Sequence, residues 1–167
     1  MKDAPLVLLI MGSDSDLSVM QEAADILQKF AVPYEMRISS AHRSPVRTMT
    51  LASEAAGRGI KIIIAGAGMA AHLAGVVASK TTLPVIGVPM PGGALNGVDA
   101  LYSTVQMPGG IPVATMAIGK AGAKNAGLFA IQILALSDLN LAEAFINFRS
   151  EMDKELERKD AELQARC

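Results

Sequence analysis

Leu6-Val7-Leu8-Leu9-Ile10-Met11-Gly12-Ser13-Asp14-Ser15-Asp16 decides how this chain folds. Leu6 to Met11 is an unbroken apolar run with β-branched members, the pattern of a strand buried on both faces. A glycine turn follows, and then Leu17, Met20, Ala24, Leu27 and Phe30 recur at helical spacing. Strand, glycine turn and helix together form the opening of a parallel α/β sheet.

The same unit repeats downstream. Pro33 precedes a strand pattern (Tyr34, Met36, Ile38) and a helix is expected over 46–56, stopped by Gly57 and Gly59. Ser44 suits the cap of that helix and Pro45 its first position. Lys61-Ile62-Ile63-Ile64-Ala65 is a third buried strand, followed by Gly66-Ala67-Gly68-Met69-Ala70-Ala71-His72 and a small-residue helix to about Ser79. Pro84-Val85-Ile86-Gly87-Val88 is a fourth strand. A Gly- and Pro-rich loop over 89–97, a short helix over 98–105 and a fifth strand over 113–117 complete the sheet. A nearly all-apolar helix over 121–136 comes next, and a charged one over 139–164. The expectation is a single domain, 1–167, folded as a three-layer α/β/α sandwich around a central parallel sheet, flavodoxin-like or Rossmann-like.

Bulk properties exclude several classes of function. The 167 residues are 51% hydrophobic but only 4% aromatic, with no Trp and a formal net charge of -1. That balance gives no footprint for nucleic acid. The one cysteine, Cys167, is terminal, so no disulfide framework is expected, and two histidines argue against a zinc site. Apolar runs are too short to span a membrane, and no basic region leads into a long apolar one at the N-terminus. A cytoplasmic protein is expected.

Chemistry gathers in the loops after the strands. Ser39-Ser40-Ala41-His42-Arg43-Ser44-Pro45 joins hydroxyls, an imidazole and a guanidinium at the carboxyl edge of the second strand, where such sheets bind ligands. Arg43 suits a phosphate clamp, and His42 suits proton transfer near neutral pH. Gly12 to Asp16 offers amides and hydroxyls for a phosphate or sugar, or else a plain helix cap. Gly66-Ala67-Gly68-Met69-Ala70-Ala71 fits a loose dinucleotide fingerprint, but Ile86-Gly87-Val88-Pro89 stands where its ribose-binding acid belongs. These glycines instead let a ligand approach the backbone. No G-x-S-x-G elbow supports a hydrolase triad. Pattern therefore points to an α/β oligomer that binds a phosphorylated small molecule, with His42 as acid–base. A binding module without chemistry is the alternative, and a histidine in the ligand loop favours the enzyme. Burial of the apolar 121–136 helix, by another subunit or by the last helix, accounts for its lack of a polar stripe.

Four motifs in order carry a resemblance. Met11-Gly12-Ser13-Asp14-Ser15-Asp16, Ser40-Ala41-His42-Arg43-Ser44-Pro45, Ala65-Gly66-Ala67-Gly68 with Ala71-His72-Leu73, and Gly97-Val98-Asp99-Ala100-Leu101-Tyr102-Ser103 with Val105-Gln106-Met107-Pro108 resemble the PurE family of purine biosynthesis. The resemblance covers about 6–137. Met69, Ala74 and Met90-Pro91-Gly92-Gly93 depart from the family's commoner residues. One type of the family isomerises N5-carboxyaminoimidazole ribonucleotide to its 4-carboxy isomer, and another carboxylates aminoimidazole ribonucleotide with free CO2. The His-Arg-Ser-Pro and Ala-His-Leu segments match the mutase type.

The resemblance implies His42 as catalytic acid–base. It implies substrate contacts from Ser13, Asp16 (ribose hydroxyls), Ser40 and Arg43 (phosphate), the Gly66, Ala67 and Gly68 backbone (base and carboxylate), His72 and Leu73. His72 is expected from a neighbouring subunit. The resemblance also implies no cofactor and no metal, a homo-octamer with sites at subunit junctions, and hand-off of substrate from an ATP-dependent N5-carboxyaminoimidazole ribonucleotide synthase.

Overall fold

The structure, a computed structural model, describes residues 4–166. Cys167, on which the disulfide argument rested, lies outside them. Five parallel strands form one sheet in the order β2-β1-β3-β4-β5. They are β1 (Val7–Met11), β2 (Tyr34–Ile38), β3 (Ile62–Ala67), β4 (Val85–Pro89) and β5 (Ala114–Thr115). The helices are α1 (Leu17–Lys29), α2 (Pro45–Glu54), α3 (Leu73–Ala78), α4 (Val98–Val105), α5 (Lys120–Ala135) and α6 (Leu139–Gln164). Two compact units divide the chain, Met1–Ala130 and Ile131–Cys167. The whole sheet lies in the first, and the second holds the end of α5 and all of α6.

The alternation of side chains along each strand sorts the helices into two layers. Leu8 and Ile10 of β1, Ile63 and Ala65 of β3 and Val85 of β4 face a cluster with Ala52 of α2 and Leu73, Ala74 and Val77 of α3. Gly87 faces the same way, beneath Thr104 of α4 and Ala74. Gly66 faces the opposite layer, where Met20 of α1 covers it. The start of α5 is tied to α1 by Lys120 and Glu22, 3.2 Å apart. Leu8, Leu9, Ile10, Ile62, Ile63 and Ile64 are all 0% exposed, which is why β1 and β3 read as continuous apolar runs. Each such side chain contributes roughly 1.5–3 kcal/mol on burial.

The strand readings agree with the structure except at β5, which pairs with β4 only through Ala114 and Thr115. Beyond them Met116 donates to the Gly87 carbonyl and Gly119 to that of Pro89, as the chain leaves the sheet to start α5. The apolar helix agrees with its reading of little room for a polar stripe. Lys124, Asn125 and Gln132 make a narrow exposed polar stripe on α5, while Ala123, Ala126, Gly127 and Ala130 are buried on the other side. Leu128 and Phe129 are half-buried at the flank. No helix among the described residues is long and apolar enough to cross a membrane.

Candidate active site

In a sheet of this order, the first two crossovers run in opposite directions from β1, and a crevice opens at the carboxyl ends of β1 and β3. A cavity of about 590 Å³ occupies that crevice. Its wall comes from the loops after β1 (Gly12, Ser13, Ser15, Asp16), β2 (Ser40, Ala41, His42, Arg43), β3 (Gly68, Met69, Ala70, His72) and β4 (Met90 to Gly93). Backbone bonds knit these loops at their roots. Gly12 donates to the Gly66 carbonyl at 3.2 Å, Ser39 to Met11 at 2.8 Å and Met90 to Ala67 at 2.9 Å.

The first loop is shaped by a capping box. The Ser13 hydroxyl accepts from the Ser15 amide at 3.3 Å, and the Asp16 carboxylate accepts from the Ser13 amide at 3.2 Å. Asp16 therefore sits half-buried at the cavity wall. Burial raises its pKa above the usual carboxylate value, against the Ser13 amide, the Ser15 hydroxyl and the positive charge of Arg43, which all act to lower it.

The second loop is built by hydroxyls. Ser39 and Thr48 share a buried hydrogen bond of 2.8 Å that ties the loop to α2. The Arg43 amide donates to the Ser40 hydroxyl at 3.1 Å. Ser44 stands at the N-cap position of α2 but does not cap it through its side chain. Its hydroxyl instead accepts from the Ser40 amide at 3.0 Å and lies 3.1 Å from the Ser40 carbonyl, closing the loop on itself. A closed loop aims its remaining side chains. Arg43 reaches across to donate Nη2–H to the Gly12 carbonyl at 2.7 Å, bridging the first and second loops. Its other N–H donors stay available to an anion, and so does the Ser40 O–H.

His42 and His72 form the chemical centre. His42 Nε2 lies 2.8 Å from His72 Nδ1, and the rings meet edge to face with centroids 4.9 Å apart. One ring donates an N–H and the other accepts, so at least one of the two is neutral while the bond lasts. Both rings are exposed to the cavity. His72 was expected from a neighbouring subunit. Within the chain it meets His42, the loops after β2 and β3 reaching each other across the end of β1, which those two strands flank.

The other expected residues divide. Ser13, Asp16, Ser40, Arg43, Ala67 and Gly68 line the cavity. Leu73 borders it, but its side chain is 2% exposed and belongs to the core. Gly66 does not line the cavity. It lies below the floor, where a Cβ would come within 2.4 Å of Met90 Cε and 2.5 Å of Met20 Sδ. Its role is to admit those two methionines. Sequence reasoning missed Thr48 and its pairing with Ser39, which across nine positions carries no local signature, and the backbone of Met69, whose φ of +56° is an uncommon state for a side chain of that size. Among the described residues no group of three His, Cys, Asp or Glu side chains could hold a metal ion.

Comparison with known proteins agrees with this geometry. The family model described as AIR carboxylase matches residues 6–155. An N5-carboxyaminoimidazole ribonucleotide mutase of Bacillus subtilis is 62% identical over 138 residues, 83% of this chain and 85% of its own. One of Pyrococcus horikoshii is 54% identical over 162 residues, 97% of this chain and 90% of its own. The crystal structure of Treponema denticola PurE superposes with a TM-score of 0.86 at 30% identity, covering 95% of this chain and 98% of that one. With the carboxyl-edge cavity and matched residues running from β1 into α6, the chain belongs to the AIR carboxylase family.

Proposed function

We infer that this chain converts N5-carboxyaminoimidazole ribonucleotide to its 4-carboxy isomer in purine biosynthesis. Curated relatives at 54–62% identity carry the name of that mutase. The observation that carries the mechanism is the exposed His42–His72 pair over a cavity that Arg43 and Asp16 also line.

The reaction moves one carboxyl group and no net proton. The N5–carboxylate bond breaks and releases CO2, and N5 takes a proton from the imidazolium of His42. The C4 carbon then attacks the trapped CO2, and the C4 proton passes to the now neutral His42. One imidazole serves both transfers, and His72 holds its ring in place. Arg43, with Ser40 and Ser13, takes the phosphate as a fork of charge-assisted hydrogen bonds. Asp16 accepts from the ribose hydroxyls, which relieve the cost of burying its charge. The Gly68 backbone faces the base and the migrating carboxylate. The 89–97 loop covers the site. Met90 to Gly93 of this loop line the cavity, where closure over the site would hold CO2. Trapping matters because an oriented bound molecule reacts at a high effective concentration.

The assay is direct. The protein is incubated with the N5-carboxylated nucleotide, and the 4-carboxy product is followed by its ultraviolet absorbance. Absence of product from folded protein overturns the reading. A second reading is carboxylation of aminoimidazole ribonucleotide by free CO2. It is favoured by a Schizosaccharomyces pombe relative named phosphoribosylaminoimidazole carboxylase, 53% identical over 97% of this chain, although the chain spans only 29% of that protein. Isotope fate separates the two. With the carbamate carboxyl labelled and the buffer rich in unlabelled bicarbonate, early product keeps the label in a mutase and loses it in a carboxylase. On this reading the protein works in the cytoplasm as a homo-octamer, supplied by an ATP-dependent synthase of the N5-carboxylated nucleotide.

A further inference from the structure

Apart from its bond to His42, His72 is held by the turn before it, its amide donating to the Ala70 carbonyl at 2.8 Å. It stands at the N-cap position of the six-residue α3, exposed, and its side chain makes no cap bond. What precedes it is strained. Met69 has φ +56°, and the turn it opens carries Ala71 and His72. Backbone in such a state persists only where its surroundings over-determine it. Here the surroundings include one hydroxyl on another element. Ser103 Oγ, from the middle of α4, accepts from the Ala71 amide at 3.0 Å. Its O–H lies 3.4 Å from the Met69 carbonyl and 3.2 Å from that of Ala100. Ala71 is 1% exposed, so no water replaces that acceptor freely. The contact spans 32 positions and joins the loop after β3 to the helix after β4.

We propose that Ser103 is a positioning residue, whose hydroxyl holds the 69–71 turn and so sets His72 Nδ1 at hydrogen-bonding distance from His42 Nε2. It touches neither substrate nor reacting atoms. It acts through the turn, because the amide it anchors is the one immediately before His72. Without the hydroxyl, Ala71 keeps only the Met69 carbonyl, 2.9 Å away within the same tight turn. The turn then relaxes toward a φ that suits methionine, and His72 moves off its partner. This inference rests on the reading of His42 as the acid–base, and it adds the device that orients it.

The test pairs Ser103→Ala with Ser103→Thr, which keeps the hydroxyl. The first readout is steady-state kinetics with the N5-carboxylated nucleotide. Ser103→Ala is expected to lower kcat about tenfold or more, the scale of a small misplacement, while KM stays within about threefold, since Arg43 and Asp16 are untouched. Ser103→Thr is expected to recover most of that loss. The second readout needs no substrate. Long-range proton–nitrogen spectra of the histidine rings, taken above their titration, report the tautomer of each. In the native protein the bond between them ties the rings to one joint state, Nε2–H on both or Nδ1–H on both. In Ser103→Ala both rings revert to the mixture of a free imidazole. Retention of that joint state in folded Ser103→Ala overturns the proposal, whatever happens to kcat. So does a threonine variant that behaves like the alanine one. Should Ser103→Ala fail to fold, Ser103→Cys keeps the size and weakens the bond, and unchanged tautomers and kcat in that variant overturn the proposal equally. Because the spectra are recorded on free protein, a failure of the assigned reaction leaves this test intact and distinguishable.

Discussion

His42, Arg43 and Asp16 each have a separable job, so each has its own signature on substitution. His42→Asn keeps a polar side chain but cannot cycle a proton. Turnover should fall by about 10²–10⁴-fold, with nucleotide binding, read by calorimetry, nearly intact. Near-normal turnover in the folded variant would remove His42 from the mechanism. Arg43→Lys keeps the charge but loses both the fork and the Gly12 bridge. Nucleotide affinity should drop by about tenfold, as for loss of one charge-assisted hydrogen bond, while the ribonucleoside without phosphate binds both proteins alike. Asp16 makes a prediction about pH. Its pKa is raised in the fold, chiefly by burial, so the folded state holds that proton more tightly than the unfolded chain. Its contribution to stability is thus complete below the usual carboxylate pKa, near 4, and is lost as pH rises through the higher folded value. Asp16→Asn keeps an acceptor for the Ser13 amide and carries no charge. Thermal melts should show the variant matching the native protein below pH 4 and exceeding it at pH 7, while its affinity for the nucleotide is weaker.

At the scale of elements, the site is the meeting of four strand-to-helix loops, and the one after β4 differs from the rest. It is the longest, and it turns into α4 through Gly97, whose φ is +89°. A Cβ there would lie 2.8 Å from both Ile118 Cγ2 and the Met90 carbonyl. Gly97→Ala therefore combines a left-handed backbone with a clash that no side-chain rotation removes. A loss of about 1–3 kcal/mol is expected, or a fall in Tm of roughly 2–12 °C for a chain of this length. Differential scanning calorimetry checks it. A variant as stable as the native protein would mean that the loop has room to move where the structure shows contact.

At the scale of the whole molecule, α5 sets the expectation. Ala123, Ala126 and Ala130 are buried on one side, and Leu128 and Phe129 remain half-exposed beside only Lys124, Asn125 and Gln132. A helix with so narrow a polar stripe is a candidate subunit contact. Light scattering or sedimentation at micromolar concentration should give an octamer. A stable monomer would contradict both the octamer and the placement of sites at subunit junctions.

The amino-acid sequence by itself determined the parallel sheet, and the reason is periodicity. Runs such as Leu6 to Met11 and Ile62 to Ala65 are apolar at every position, which only a strand covered on both faces accommodates. It also determined which loops carry chemistry, because Ser40, His42 and Arg43 sit between a strand pattern and a helix pattern, where the carboxyl edge must be. Tertiary structure alone decided which loops meet. The order β2-β1-β3 puts His72 against a histidine 30 positions away, and no local pattern encodes that distance. It likewise decided that Gly66 lies against Met20 and Met90, and that Ser103 bonds to a turn 32 residues before it. Hydrogen bonds and close approaches of this kind depend on positions in space. A sequence exposes them only where the partners are neighbours in the chain.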